Sequence, residues 1–321
     1  MPLSSSQQTI HRFAWATLWY NIGVILWGAF VRATGAGAGC GSHWPDCNGE
    51  VIPTTDSSHT WIEFAHRLTT GLDGLLILGL LVAVFKHWPK GSLARRGVVL
   101  TMVFLLIEAA IGAALVKFEL TADNPRPERA WVVGIHLVNT FFLLAALCAT
   151  CWWTGGGAQL RPKDRPAQTR FILFCMAMVC VLAASGAVNA LGDSLFPSES
   201  LIEGIQQDRS ATAHIFIKLR VWHPAIAIIT GILCIVLASD CRQKVHQLRV
   251  SVWATRLQGL IGFQLAFGFL NLLLLAPVWV QIVHLLLADF IWISLVFLSF
   301  EVWTAPIIAD GGNVSRVGQE G

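Results

Sequence analysis

Eight apolar stretches dominate this 321-residue chain, and each is close to the ~20 residues that cross a hydrocarbon layer ~30 Å thick as a helix. They run approximately over 13–31, 61–85, 97–116, 131–153, 171–191, 221–238, 257–275 and 278–302. Backbone amides inside lipid need partners within their own segment, so stretches of this length are predicted as helices and not strands. The expected fold class is therefore all-α and integral to the lipid bilayer, with eight transmembrane helices. Composition agrees: 55% of residues are hydrophobic and 13% charged, about half the charge of a soluble domain of this size. A net charge of +3, scattered over loops, gives no basis for nucleic-acid binding.

Basic residues are retained on the cytoplasmic side of short loops. The loops after the second, fourth and sixth stretches hold twelve Lys and Arg, whereas those after the first, third, fifth and seventh hold seven. Both termini are thus expected in the cytoplasm of a multi-pass protein of the cell membrane. The first stretch lacks a small-residue cleavage site and reads as a retained helix. Cys40 and Cys47 fall in the first outer loop, where an oxidising compartment permits a disulfide. Two free thiols or a transient redox pair are the alternatives there. The other six cysteines fall within helices or at their cytoplasmic ends and read as small packing residues.

An internal repeat divides the chain. Trp131-x4-His136-Leu137 has the spacing of Trp279-x4-His284-Leu285, Glu108-x-Ala110-x-Gly112 parallels Gln264-x-Ala266-x-Gly268, and His66 aligns with His223. The offsets of 148, 156 and 157 residues preserve order, which indicates two pseudo-symmetric four-helix bundles, residues 1–155 and 156–321. An even number of helices per copy gives both the same orientation, so the repeat axis lies along the membrane normal.

His66, His136, His223 and His284 each stand one to two turns inside the outer end of an even-numbered stretch, hence at one depth near the outer face. Polar side chains at such a depth are costly and face the bundle interior or a cavity. A single histidine there reads most simply as a packing residue. Four at matching positions point to a shared ligand: two imidazoles from facing helices can clamp a planar haem between them, pairing His66 with His136 and His223 with His284. A di-iron centre needs a second Glu-x-x-His beside Glu63-x-x-His66, but Val133, Arg220 and Gln281 stand three before the other histidines. A zinc site lacks an obvious third ligand.

Three segments resemble one known family. Gly28-Ala-Phe-Val-Arg32-Ala-Thr34-Gly35, then Cys40-Gly-Ser-His-Trp44-Pro45-Asp-Cys47-Asn-Gly49, and Glu63-Phe-Ala-His66-Arg67 are similar to the signatures of the haem A synthases, over nearly the whole chain. That resemblance implies oxidation of the C8 methyl of haem O to a formyl group, giving haem A for terminal oxidases. It implies that His66 and His136 hold the substrate haem and that His223 and His284 hold a haem b cofactor. Glu63 corresponds to the family's catalytic carboxylate; fixing His66 by a hydrogen bond is its alternative role. Arg32, Arg67, Lys218 and Arg220 are candidate propionate contacts. Haem O, a haem O synthase and an electron donor are the implied partners. Departures are Pro224 in place of Arg after His223, Glu108 in place of Gln, and no cysteines in the outer loop of the second half. Asp73, Glu108 and Asp289 have no role at this stage. A di-haem cytochrome b that only passes electrons would use the same histidines, yet it has no need of Glu63 in one half against Arg220 in the other. A transporter built on parallel repeats predicts helices broken near the midplane, and none is evident.

Overall fold

The structure, a computed structural model, describes residues 3–306 apart from Asp123 and Ala211. The predicted cytoplasmic ends of the chain fall partly on residues 1–2 and 307–321, outside the described residues. Among those described there is no β-strand. Ten α-helices follow one another: α1 Ser5–Ala33, α2 Ser58–His87, α3 Leu93–Lys117, α4 Glu128–Thr154, α5 Pro166–Leu195, α6 Leu201–Arg209, α7 Ile215–Arg220, α8 Trp222–Lys244, α9 Leu248–Leu273 and α10 Val278–Thr304.

Most helices begin several residues before the apolar run that predicts them. Hydroxyl side chains at Ser4, Ser57 and Ser92 accept from backbone amides of the first turn, which satisfies donors that the helix itself leaves open. At ~1.5 Å rise per residue, the 25 to 30 residues of α1 to α5 exceed the hydrocarbon thickness, so their polar ends reach past it. The sixth predicted stretch differs more. Its helix starts at Ile215 and is interrupted at Val221 between α7 and α8. Pro224 explains the interruption, since its ring lacks an N–H and clashes with the carbonyl four residues earlier, that of Arg220. Within the outer segment read as loop, Leu201–Arg209 forms a short helix that starts at a Ser200 cap.

Seven helical spans are long and apolar enough to cross a membrane, with α7 and α8 joined as Ile215–Lys244. The chain is a multi-pass membrane protein. The seventh stretch, now α9, is not among the seven: Arg256, Gln258, Gln264 and Asn271 dilute its apolarity. In the first half α1 packs on α2 and α4, and α3 packs on α2 and α4. In the second, α8 packs on α5 and α9, and α10 on α9 and α5. The two sets meet where α4 lies against α5 and where α10 lies against α1 and α4. There Trp292 stacks on Phe141 and donates its ring N–H to the Phe141 carbonyl at 2.6 Å. Accordingly α4 and α10 are the most buried of the seven spans, and each carries one of the four histidines.

Candidate functional site

His66, His136 and His223 stand eight residues after the first residues of α2, α4 and α7, and His284 six after that of α10. His66 lies within electrostatic reach of His136, and His284 within reach of His223. Neighbouring helices approach the rings at glycines. A Cβ at Gly28 of α1 would sit 3.1 Å from His66 Cε1, one at Gly186 of α5 3.0 Å from His223 Cε1, and one at Gly268 of α9 3.2 Å from His284 Cε1. Nothing approaches Gly112, the repeat counterpart of Gly268, within 4 Å. Gly28 and Gly186 are 158 residues apart and Gly112 and Gly268 156, the register of the repeat. Their role was not legible in the sequence, because it depends on one helix coming within van der Waals distance of an imidazole on another.

Ring nitrogens are left over at these rings. Nδ1 of His66, His136 and His284 is buried without a hydrogen-bond partner, an arrangement costing about 1–3 kcal/mol per unsatisfied group. The first half thus presents two imidazoles in reach of one another, each with an unpartnered Nδ1, and the second presents His284 with one beside His223, whose Nδ1 meets Ser185 Oγ; paired imidazoles are a donor set that would fit a haem iron. Among the described residues, no three His, Cys, Asp or Glu side chains gather to hold a metal ion.

Surroundings of the two pairs differ. In the first half Cys40 and Cys47 form a disulfide, with their Cα atoms 4.4 Å apart. It closes an outer loop that docks on the start of α2: Thr60 Oγ1 donates to Gly39 O at 2.7 Å, and Cys40 N–H donates to Glu63 Oε2 at 2.8 Å. Glu63 is buried, at 4% exposure. Arg67, one turn later, donates Nε to Glu63 Oε1 at 3.2 Å, pairs with it through Nη2 as well, and reaches the His43 carbonyl at 2.7 Å. Arg67 therefore straps loop, carboxylate and helix together. Glu63 is turned to the loop amide and to Arg67, leaving His66 Nδ1 without a partner, so the orienting hydrogen bond to His66 is not what the carboxylate makes here.

Gly39 is where the loop comes nearest to α2. A Cβ there would fall 2.5 Å from the His59 carbonyl carbon and oxygen and 2.6 Å from Thr60 N, all backbone atoms that cannot rotate away. Gly39→Ala is expected to lift the loop off α2 and break the Cys40–Glu63 contact, at about 1–3 kcal/mol for overpacking. Faster reduction and alkylation of Cys40 and Cys47 in the variant, with little change in the melting of the helices, is the measurable result.

In the second half the counterpart of Glu63 is Arg220, bound to Asp208 at 2.6 Å and Asp193 at 3.6 Å. Arg32, also a propionate candidate, crosses between halves: it donates to Ala190 O at 2.9 Å, Ser194 Oγ at 3.0 Å and Gln281 Oε1 at 2.7 Å. Lys218 lies on the exposed side of α7. Arg32, Arg67 and Arg220 are thus engaged with protein groups. Ser185 Oγ lies 2.9 Å from His223 Nδ1, and Gln264 Nε2 3.0 Å from His284 Nε2, contacts that sequence reasoning missed for Ser185. Of the buried acids, Asp73 accepts from Asn21 Nδ2 at 2.7 Å, and neither oxygen of Asp289 has a partner.

A family model described as cytochrome oxidase assembly protein, COX15-CtaA, matches residues 11–296. The chain belongs to this family. The part matched by the cytochrome oxidase assembly family takes in the disulfide loop, Glu63 and all four histidines, in agreement with the resemblance carried by the outer-loop and α2 motifs. A protein of Thermus thermophilus named protoheme IX farnesyltransferase is 47% identical over 291 residues, 89% of this chain and 47% of that protein. The chain therefore spans about half the length of the Thermus relatives it matches. Proteins named heme A synthase from Bacillus mycoides and Bacillus cereus are 43% identical over 93 residues, 29% of this chain and 30% of theirs.

Proposed function

We propose that the chain is a haem A synthase, an oxidoreductase that converts the C8 methyl of haem O to a formyl group in the membrane. The observation that carries this reading is the inequality of the two histidine pairs. A buried carboxylate, Glu63, held by the disulfide loop and Arg67, stands one turn from His66 on the same face of α2, whereas the second half has Arg220 tied to two aspartates. Such a difference serves chemistry in one half and storage or passage of electrons in the other. It disfavours a di-haem cytochrome b acting only as a carrier, for which equal surroundings suffice.

In this reading residues 1–155 and 156–321 are pseudo-symmetric halves, each a closed ring of four helices. His66 and His136 hold the substrate haem O, and His223 and His284 hold haem b. Bound between two imidazoles, haem b supplies a one-electron couple near the substrate. Glu63 takes protons or stabilises positive charge as the methyl is oxidised, the work of a positioned acid or base. Its two partners fix both carboxylate oxygens, and the disulfide loop docked on α2 limits water. The glycines under His66, His223 and His284 set how deep each ring sits.

The α9 helix is the eighth crossing: 26 residues long, it joins α8 to α10 by short turns and packs on both, so it runs antiparallel to two spans. Its polar residues then face the bundle, where Gln264 meets His284. The basic-loop count supports cytoplasmic termini, with the haem sites near the outer face of the cell membrane. A haem O synthase is the natural source of substrate, a pairing supported by the Thermus relatives, which are named for protohaem farnesylation and have twice this length. Methyl to formyl is a four-electron oxidation that adds one oxygen atom, so the co-reactants are an oxidant of the dioxygen class and an external electron donor that reduces its second oxygen atom to water at each hydroxylation.

The test is expression in a host that makes haem O but no haem A. Chromatography of extracted membrane haems should show a new formyl haem. Accumulation of haem-loaded protein with haem O unchanged would instead support the electron carrier.

A further inference from the structure

We propose that Glu108 is a positioning residue for the substrate half, placing a fixed negative charge against His136 and so making that ligand a stronger electron donor to iron than its counterpart His284. This rests on the haem-binding reading above. Glu108 lies on α3 facing α4, with Oε1 3.2 Å from His136 Nδ1. The oxygen lies off the ring N–H axis, since Nδ1 has no hydrogen-bond partner; the contact is one of charge.

The carboxylate is gripped by the helix that carries the histidine. Asn139 Nδ2 donates to Glu108 Oε2 at 2.6 Å, and Thr140 Oγ1 donates to Oε1. Asn139 also donates to the Phe104 carbonyl at 3.0 Å, one turn before Glu108 on α3. Asn139 and Thr140 are both nearly buried, at 6% and 5% exposure. Glu108 and His136 are partly buried, at 20% and 31% side-chain exposure, so the fixed charge acts through a medium less screening than water.

The second half has none of this. Gln264 takes the place of Glu108 and presents an amide nitrogen 3.0 Å from His284 Nε2, while its own oxygen is unpartnered. At the places of Asn139 and Thr140, three and four residues after the histidine, α10 has Leu287 and Ala288. Carboxylate and clamp are therefore present together in one half and absent together in the other. A carboxylate beside the non-ligating nitrogen of a metal-bound imidazole raises its basicity, which lowers the reduction potential of the iron and favours its more oxidised states. That is the bias wanted at an oxidising site and not at an electron-transfer haem.

The experiment is a spectroelectrochemical titration of purified protein loaded with haem b at both sites. In Glu108→Gln, which keeps an acceptor for Asn139 and turns an NH2 to Thr140 Oγ1, whose own proton can go to the His136 carbonyl, one of the two midpoint potentials should rise and the other stay. Thr140→Val, which removes the hydroxyl that holds Oε1 beside His136, should move the same potential and leave the other. With haem O as substrate, Glu108→Gln should lower kcat and leave KM within about twofold. Two unchanged potentials in haem-loaded Glu108→Gln, or an equal shift of both, overturns the inference. Should Glu108→Gln fail to retain the first haem, Thr140→Val decides alone, and an unmoved potential there overturns it too. A wild-type haem ratio of one per chain after loading counts instead against the two-site reading on which the inference stands.

Discussion

Replacing Glu63 by Gln is expected to leave haem content intact and to lower haem A formation by roughly 10²-fold or more, the usual contribution of a positioned acid or base. The amide keeps the size of the side chain and still accepts from Cys40 N, so the loop stays docked. It loses the ion pair to Arg67, whose guanidinium retains the His43 carbonyl. Haem O or a partly oxidised intermediate should accumulate in the variant. If Glu63 served only to orient His66, turnover would instead scale with the haem that remains bound. The present geometry does not favour that alternative, because the carboxylate oxygens are directed to Cys40 and Arg67. Chromatography of extracted haems beside the haem-to-protein ratio separates the two. Normal haem A output from fully loaded Glu63→Gln rules out the catalytic role.

The second large effect is loss of one haem on removing a ligand from the second half. On the proposed ligation, His223→Ala or His284→Ala deletes half of a ligand pair and leaves a cavity beside Gly186 or Gly268, where the neighbouring Ser185 or Gln264 supplies no imidazole in its place. Haem b and its absorbance should fall by about one equivalent per chain, with ligation in the first half preserved. Each half is a ring of four helices with its own packing, so the bundle should remain folded. Full haem content and an unaltered spectrum in both variants would remove these residues from the ligand set.

Much of the fold was legible because lipid enforces it. A run of about 20 apolar residues has few options other than a spanning helix, so seven of the eight predicted stretches recur as spans apolar enough to cross. Gln258, Gln264 and Asn271 put α9 on the margin: side chains that make polar contacts with neighbouring helices, as Gln258 does with Ser239 and Gln264 with His284, also weaken the apolar signal. The Pro224 interruption was readable in principle from the residue type, whereas Leu201–Arg209 was not, being a nine-residue helix in a polar segment with only Ser200 to announce it. Within the site, the histidine spacing and the Cys40–Cys47 bridge were plain. The grip of Asn139 and Thr140 on Glu108, the contact of Gly39 with His59, and the bond of Arg32 to Gln281 were not. Each joins residues from about twenty to 250 positions apart through helix packing, which no local pattern records.

The assignment of substrate to one half and cofactor to the other is tested most directly by the haems that single-ligand variants retain. Protein carrying His66→Ala, and separately His284→Ala, would be purified from cells that supply both haem b and haem O, and the extracted haems separated and counted. The expected result is that His66→Ala keeps haem b and loses haem O and haem A, while His284→Ala loses haem b and still carries haem O. The same haem lost from both variants, or haem O retained in His66→Ala at the wild-type ratio, would contradict it.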